Sequence, residues 1–237
     1  VVMTDQAHLP DCQLDGILCY EDLLEGQSDH YDWPELDEDT ASSLCYSSGT
    51  TGNPKGVLFS HRSTVLHAWG ACAKDSLGIS AQDAILPVVP MFHVNAWGIP
   101  YACAMAGSKL VFPGVGMDGA SVYEMLDTEE VTFTAGVPTV WLLLLQYLQE
   151  SGNKLPHLER MVVGGAALPP SIIDAFENDY DCECVHAWGM TEMSPIGTIG
   201  YLKRNMKDLS AEEKMSYKVK QGRPVYGVEM KIVDDDD

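Results

Sequence analysis

From Ala41 onward the chain alternates short apolar runs of strand length with amphipathic stretches of helical length. The strand-like runs are Ser43 to Tyr46, Val57 to Phe59, Ala84 to Val89, Lys109 to Phe112, Thr132 to Val137, Arg160 to Val163 and Glu183 to Ala187. Between them, helices are expected over Arg62 to Lys74 behind a Ser60 N-cap, over Val94 to Met105, and over Asp118 to Glu129 with an aspartate cap. Two more are expected over Pro138 to Glu150 and Pro170 to Tyr180, the latter with proline in its first turn. Strand and helix in repeated order predict an α/β fold with a largely parallel sheet. Upstream, Val1 to Met3 reads as the end of a strand. His8 to Thr40 reads as a polar, acidic surface connection whose one periodic phrase is Tyr20 to Leu24. At the other end, Glu229 to Val233 predicts a strand that runs into four aspartates.

Composition narrows the function. The 237 residues, 46% of them hydrophobic, are enough for a sizeable core in one large domain or two small ones. Thirty-five acidic residues against 14 basic ones give a formal net charge of −21, with no basic cluster. Nucleic acid and anionic membrane both need a basic footprint, so neither is expected as the main partner. The acidity reads as a solvated surface. Seven cysteines, with no C-x-x-C pair, fit reduced thiols and a cytoplasmic location. Cys182 and Cys184 flank one glutamate and would share a strand face; two small core or surface residues are expected there rather than a metal pair. The longest apolar stretch, Val137 to Leu148, contains Pro138 and is too short to span a bilayer, and Val1 to Asp5 shows no signal-peptide leader.

The segment richest in chemistry is Tyr46-Ser47-Ser48-Gly49-Thr50-Thr51-Gly52-Asn53-Pro54-Lys55-Gly56, between two strand-like runs. Its three glycines let the backbone turn tightly and aim amides at a ligand. Its hydroxyls are neutral donors and Lys55 adds a charge, a set suited to a polyphosphate. It is not a Walker loop, because Lys55 is followed by Gly56 and then by a strand-like run instead of a helix. Two further motifs follow in order, Gly164-Gly165-Ala166-Ala167-Leu168 and Trp188-Gly189-Met190-Thr191-Glu192. Together the three resemble the adenylate-forming superfamily of acyl-CoA synthetases, luciferases and peptide-synthetase adenylation domains. The phrases Val89 to Trp97 and Phe133 to Trp141 resemble, within it, the fatty acyl-CoA synthetases and the 3-methylmercaptopropionate-CoA ligases. The resemblance covers nearly the whole chain from Ala41 to Val233.

That resemblance implies an acyl-CoA synthetase-like N-terminal adenylation domain, with ATP, Mg²⁺ and coenzyme A as cofactor and co-substrates. A carboxylate would attack the α-phosphate of ATP, and coenzyme A would then displace AMP. Ser47, Ser48, Gly49, Thr50, Thr51, Gly52 and Lys55 would grip the β- and γ-phosphates. Ser47 stands where the family most often has threonine near the magnesium, and Glu192 would be the carboxylate partner of that ion. Thr191 would donate to the α-phosphate. Gly165, Ala166 and Ala167 would approach one face of adenine. Trp188, in place of the family's usual tyrosine, would stack on the other, with His186 and Ala187 lining the same pocket. His93 would lie beside the acyl-adenylate, and Trp97, with Val94 next to it, would border the acyl tunnel. If the segment is helical, His93 and Trp97 share a face.

The resemblance also implies parts that this sequence does not contain: a T-G-D motif for the ribose and a C-terminal domain with a catalytic lysine. The expectation is therefore an internal piece of a ligase, incomplete at both ends. Residues 1–225 would belong to the nucleotide-binding domain and 226–237 to the first strand of the next subdomain. Homodimers are expected of the full-length protein. Two other readings stay open, a noncatalytic nucleotide-binding module and another adenylating enzyme of the luciferase or peptide-synthetase kind.

Overall fold

A computed structural model of the chain describes residues 2–3, 15–47 and 52–234. The chain forms two units, residues 1–37 and 38–237. In the first, β1 (Val2–Met3) pairs in parallel with β2 (Leu18–Cys19), which leads into the short helix α1 (Tyr20–Leu24). The expected strand end and helical phrase are both present.

The second unit begins with an antiparallel hairpin of β3 (Ala41–Ser47) and β4 (Lys55–Ser60), in which Leu44 opposes Leu58 and Ser47 opposes Lys55. The glycine and hydroxyl motif is the tip of this hairpin, and Ser48, Gly49, Thr50 and Thr51 lie outside the described residues. A strand, as expected, follows the loop. Helix α2 (His61–Cys72) starts from a capping box, in which the Ser60 hydroxyl accepts from the Ser63 amide and the Ser63 side chain answers the Ser60 amide.

The rest is a layered α/β structure. In chain order come β5 (Ala84–Pro87), the four-residue turn α3 (Val94–Trp97), α4 (Ile99–Ala106), β6 (Lys109–Leu110), α5 (Gly119–Thr128), β7 (Phe133–Gly136), α6 (Pro138–Ser151), β8 (Arg160–Val163), α7 (Pro170–Asp179), β9 (Glu183–Gly189), β10 (Ile196–Ile199), α8 (Ala211–Lys218) and β11 (Arg223–Pro224). Among the described residues the main sheet has the order β11-β10-β9-β8-β7-β5-β6. β6, β5, β7, β8 and β9 run parallel, and β10 and β11 add an antiparallel edge. The expected strands and crossover helices therefore hold, with ends displaced by a few residues.

Both faces of the sheet are buried, by alternation along each strand. Met161 and Val163 of β8 enter one cluster with Val122 and Leu126 of α5, Trp141, Leu144 and Leu148 of α6, and Ile172, Ile173 and Phe176 of α7. Val162, between them, enters the other, with Ala68 and Ala71 of α2 and Ile99, Ala102 and Cys103 of α4. Small side chains on α2 and α4 let those two helices approach closely. Cys182 and Cys184 both join the first cluster, and burial pushes the Cys184 thiol up to about 12, so the pair is core, as expected. Cys45, Cys72, Cys103, Cys182 and Cys184 are free thiols. No described helix is long and apolar enough to cross a membrane.

Two expectations are corrected. Val94 to Met105 is not one helix. Gly98 takes φ +69 and Pro100 stands in the first turn of α4, so the helix starts there, while Val94, Asn95, Ala96 and Trp97 all have positive φ. Glu229 to Val233 carries no strand. A strand needs a ladder partner, and Ile232 is 94% exposed there instead. Four elements were not anticipated: β2, β10, β11 and α8. β10 is short and interrupted by Gly197. α8 buries no residue, so its hydrophobic pattern is silent, although its capping box of Ser210 and Glu213 is a sequence signal.

At the amino ends of the strands, Arg160 of β8 pairs with Asp83 just before β5 at 2.9 Å, with side chains 16% and 5% exposed. The guanidinium also lies 4.6 Å from the Phe133 ring centre. Burial alone would raise the Asp83 carboxyl. The Arg160 hydrogen bond and charge, with the Ser80 amide and hydroxyl, outweigh it and hold Asp83 below the usual carboxylate range. Replacing Arg160→Met strands a buried carboxylate and is expected to cost about 3–5 kcal/mol in denaturant unfolding. A loss under about 1 kcal/mol would show that water relieves Asp83.

Candidate active site

The carboxyl ends of a parallel sheet are where backbone groups run out of ladder partners and loops of different crossovers meet. Here β8 ends in Gly164-Gly165 and β9 in Trp188-Gly189. With the turn after β5 they enclose a cavity of about 250 Å³. His93, Val94 and Trp97 reach it from the turn, Gly164 and Gly165 from β8, and Ala187, Trp188 and Thr191 from β9 and the short helix after it. Seven of the residues singled out in the sequence thus line one space: His93, Val94, Trp97, Gly165, Ala187, Trp188 and Thr191.

The walls also use residues beyond those seven. Leu77, Val162 and Ile196 supply an apolar floor, and Gly189, Met190 and Pro195 close one side. Nothing local in the sequence signals Leu77 or Ile196; the fold brings them in. Two glycines permit close approach. A Cβ on Gly164 would lie 3.2 Å from Trp97 Cη2 and 3.1 Å from the Ala187 carbonyl, so the Trp97 indole lies against bare backbone. Trp188 is half-buried, and a Cβ on Gly197 of β10 would lie 2.7 Å from its Cζ3.

Other expected site residues stand elsewhere. His186 is buried on the opposite sheet face from Ala187, as strand alternation requires. Its Nδ1 lies 3.0 Å from the Val219 carbonyl and its Nε2 3.3 Å from the Ala166 carbonyl. It braces the Gly164–Ala167 turn from behind and does not line the cavity. Ala166 and Ala167 are exposed beyond the lining. Glu192 is exposed, in the short helix Thr191–Met193, and forms no ion pair with a described residue. Ser47, Gly52 and Lys55 belong to the hairpin, outside the lining, with Lys55 and Gly52 exposed. His93 and Trp97 do not share a helical face, because the turn between them is left-handed, yet both reach the cavity.

Val94, Asn95, Ala96 and Trp97 have φ between 49 and 59 degrees. Such a run costs roughly 1–2 kcal/mol per residue with a Cβ, most of all for branched Val94, so surrounding contacts must hold it. At its far end Gly98 fits against His67 of α2. A Cβ there would lie 2.6 Å from His67 Nδ1. The other ring nitrogen, Nε2, accepts from the Ile196 amide at 3.3 Å, which requires a neutral ring. Desolvation pushes the His67 pKa down from 6.5 to about 4, which keeps that acceptor at neutral pH.

The comparisons agree with this fold. The chain superposes on the anthranilate CoA ligase AuaEII, solved with anthranoyl-AMP, with a TM-score of 0.78 and 25% identity over 96% of this chain and 42% of that one. The fold is that of the N-terminal domain of a CoA ligase. The sequence profile described as AMP-binding enzyme matches residues 5–237, and the chain belongs to that family. It is 53% identical over its full length to the medium-chain-fatty-acid–CoA ligase of Ectopseudomonas oleovorans, covering 43% of that protein. It is 52% identical to the 3-methylmercaptopropionyl-CoA ligase of Ruegeria lacuscaerulensis, over 94% of this chain and 42% of that protein. The chain therefore spans less than half the length of these curated relatives.

Two outcomes test this geometry. A depressed histidine pKa makes the unfolded chain bind the extra proton first, so the His67 contribution to stability is present above about 6.5 and is lost as pH falls toward 4. Melting curves across that window should flatten in His67→Gln, which keeps an acceptor and cannot titrate. Gly98→Ala adds a strained φ and a clash with His67, and should cost about 1–3 kcal/mol in thermal unfolding.

Proposed function

We propose that the chain carries the nucleotide- and acyl-binding site of an ATP-dependent carboxylate–CoA ligase acting on a medium- or long-chain fatty acid or on methylmercaptopropionate. One observation supports this above others: the Trp97 turn, Gly164-Gly165 and the Ala187–Thr191 segment converge on one cavity, apolar at its Leu77, Val162 and Ile196 floor and bordered by the His93 imidazole and the Thr191 hydroxyl. An apolar acid with a charged head fits such a space. The relatives that bear the names of fatty acid and methylmercaptopropionyl ligases support the substrate class.

In this reading the substrate carboxylate oxygen attacks the α-phosphorus of ATP, the bond to the bridging oxygen breaks, and pyrophosphate leaves. The thiol of coenzyme A then attacks the acyl carbonyl, AMP leaves with the bonding pair, and the thiol proton goes to solvent. The protein aligns two anions and offsets charge. Thr191 donates to the α-phosphate, Lys55 and the hairpin hydroxyls hold the outer phosphates, and His93 faces the acyl carbonyl. The bared backbone at Gly165 and the Trp188 ring sandwich the base.

The donors fit Mg²⁺. Glu192 is an exposed carboxylate free of described partners, Ser47 offers a hydroxyl, and no described group of three or more histidine, cysteine or acidic residues suggests a softer metal. A hard ion that takes one or two protein oxygens and completes its shell with phosphate and water suits that set, and when bound it neutralises polyphosphate charge. Free thiols at Cys45, Cys72, Cys103, Cys182 and Cys184 support a reducing, cytoplasmic setting.

Pyrophosphate release from ATP by the full-length protein, measured with acids of graded chain length and with methylmercaptopropionate, tests the proposal; the 237-residue piece alone is expected to be inactive in thioester synthesis. An aliphatic acid is expected to be preferred over an aromatic one. Glu192→Gln should lower the rate about 100- to 1,000-fold with little change in acid affinity. Failure to bind either ATP with Mg²⁺ or a nonhydrolysable acyl-adenylate would count against the reading.

A further inference from the structure

We infer that Asn95 is a positioning residue whose side chain, tied to Ser43 and Cys45 of β3, holds the Val94–Trp97 turn left-handed and thereby sets the Trp97 indole across Gly164. Asn95 Nδ2 donates to Ser43 Oγ at 2.9 Å, and Cys45 Sγ donates to Asn95 Oδ1 at 3.6 Å. Both ends of one amide are used, by two residues of the same strand, on the strand that ends at Ser47. The next residue back, Val94, is buried with Cys45 and Phe59 in a small apolar cluster beneath the hairpin. The turn is thus seated on the hairpin by a hydrogen-bonded pair and an apolar plug, while its other end carries Trp97 into the cavity.

The local backbone does not explain this arrangement. Asparagine tolerates left-handed φ better than most residues, but Val94, Ala96 and Trp97 do not, and four such residues in succession need an external restraint. The only side chain within the turn that hydrogen-bonds to another described element is Asn95. Its loss frees the turn to relax and the indole to leave Gly164. The inference concerns the site assigned above and rests on the ligase reading only for its ligand arm.

The test uses the chain labelled with 5-fluorotryptophan. Its five tryptophans give separate fluorine resonances, with that of Trp97 assigned by its absence in Trp97→Phe. Asn95→Gly keeps a residue at ease with left-handed φ and removes both side-chain bonds. Ser43→Ala removes one bond from the hairpin side. Each is expected to shift or broaden the Trp97 resonance and to leave those of Trp33, Trp69 and Trp141 in place. Asn95→Asp still accepts from the Ser43 hydroxyl and Cys45 thiol, and should move the resonance back toward its wild-type position. An unchanged Trp97 resonance in Asn95→Gly and Ser43→Ala overturns the inference. If Asn95→Gly does not fold, Ser43→Ala decides it.

In the ligand arm, the dodecanoyl sulfamate ester of adenosine should bind Asn95→Gly about tenfold more weakly than wild type, with AMP affinity unchanged. Equal losses for both compounds count against a role confined to Trp97. Binding of neither compound to wild type sinks the ligase reading, while the fluorine spectra still decide Asn95.

Discussion

Burial of the parallel sheet on both faces governs everything else in this molecule. Strands β7, β8 and β9 spend most of their side chains on two apolar clusters and their backbone groups on ladder bonds, and only Val162 and the stretch from Ala187 to Gly189, at their carboxyl ends, face the cavity. Chemistry is confined to the carboxyl edge, where Gly164, Gly165 and Gly189 bare the main chain and the crossover loops converge. The buried Arg160–Asp83 pair does its work at the opposite edge, where it fixes the strands' amino ends without entering the site.

The edge alone would make an open crevice. It becomes an enclosed cavity because the chain after β5 takes a left-handed turn that a run of β-carbon-bearing residues adopts only under restraint. Two unrelated elements hold it. The hairpin grips Asn95 and Val94, and α2 presents His67 beneath Gly98 while the same imidazole accepts from Ile196 at the cavity floor. The hairpin and α2 are contiguous through Ser60, so the segment that ends in the glycine and hydroxyl loop also shapes the apolar wall. This shared scaffold keeps the hairpin and the cavity wall in fixed relation.

The charge of −21 also acquires a location. Lys55 stands exposed at the hairpin, and most carboxylates also stand on exposed surface and loops. In the proposed ligase, such an acidic surface would need local cationic and dipolar groups to hold a polyanion.

Much of the fold was legible in the sequence because period and caps are local. The strands Arg160 to Val163 and Glu183 onward, the aspartate cap at Asp118 and the proline starts at Pro138 and Pro170 appear almost where expected. Periodicity failed where packing overrides it. The stretch from Val94 to Met105 has helical spacing, yet its first turn is bound to another strand and its second begins at a proline. α8 hides nothing and so shows no hydrophobic face. Motif spacing singled out His93, Trp97, Trp188 and Thr191, which the fold brings to one cavity, and also His186, which strand alternation turns to the far face. By itself the sequence determined the order of most strands and helices and the motifs that meet at one cavity, both written in short stretches of chain. Only the tertiary structure decided that Leu77 and Ile196 form the floor, that Asn95 is anchored to Ser43, and that His67 stays neutral. Those facts depend on contacts between residues dozens of positions apart, whose energies exist only once the sheet has closed around them.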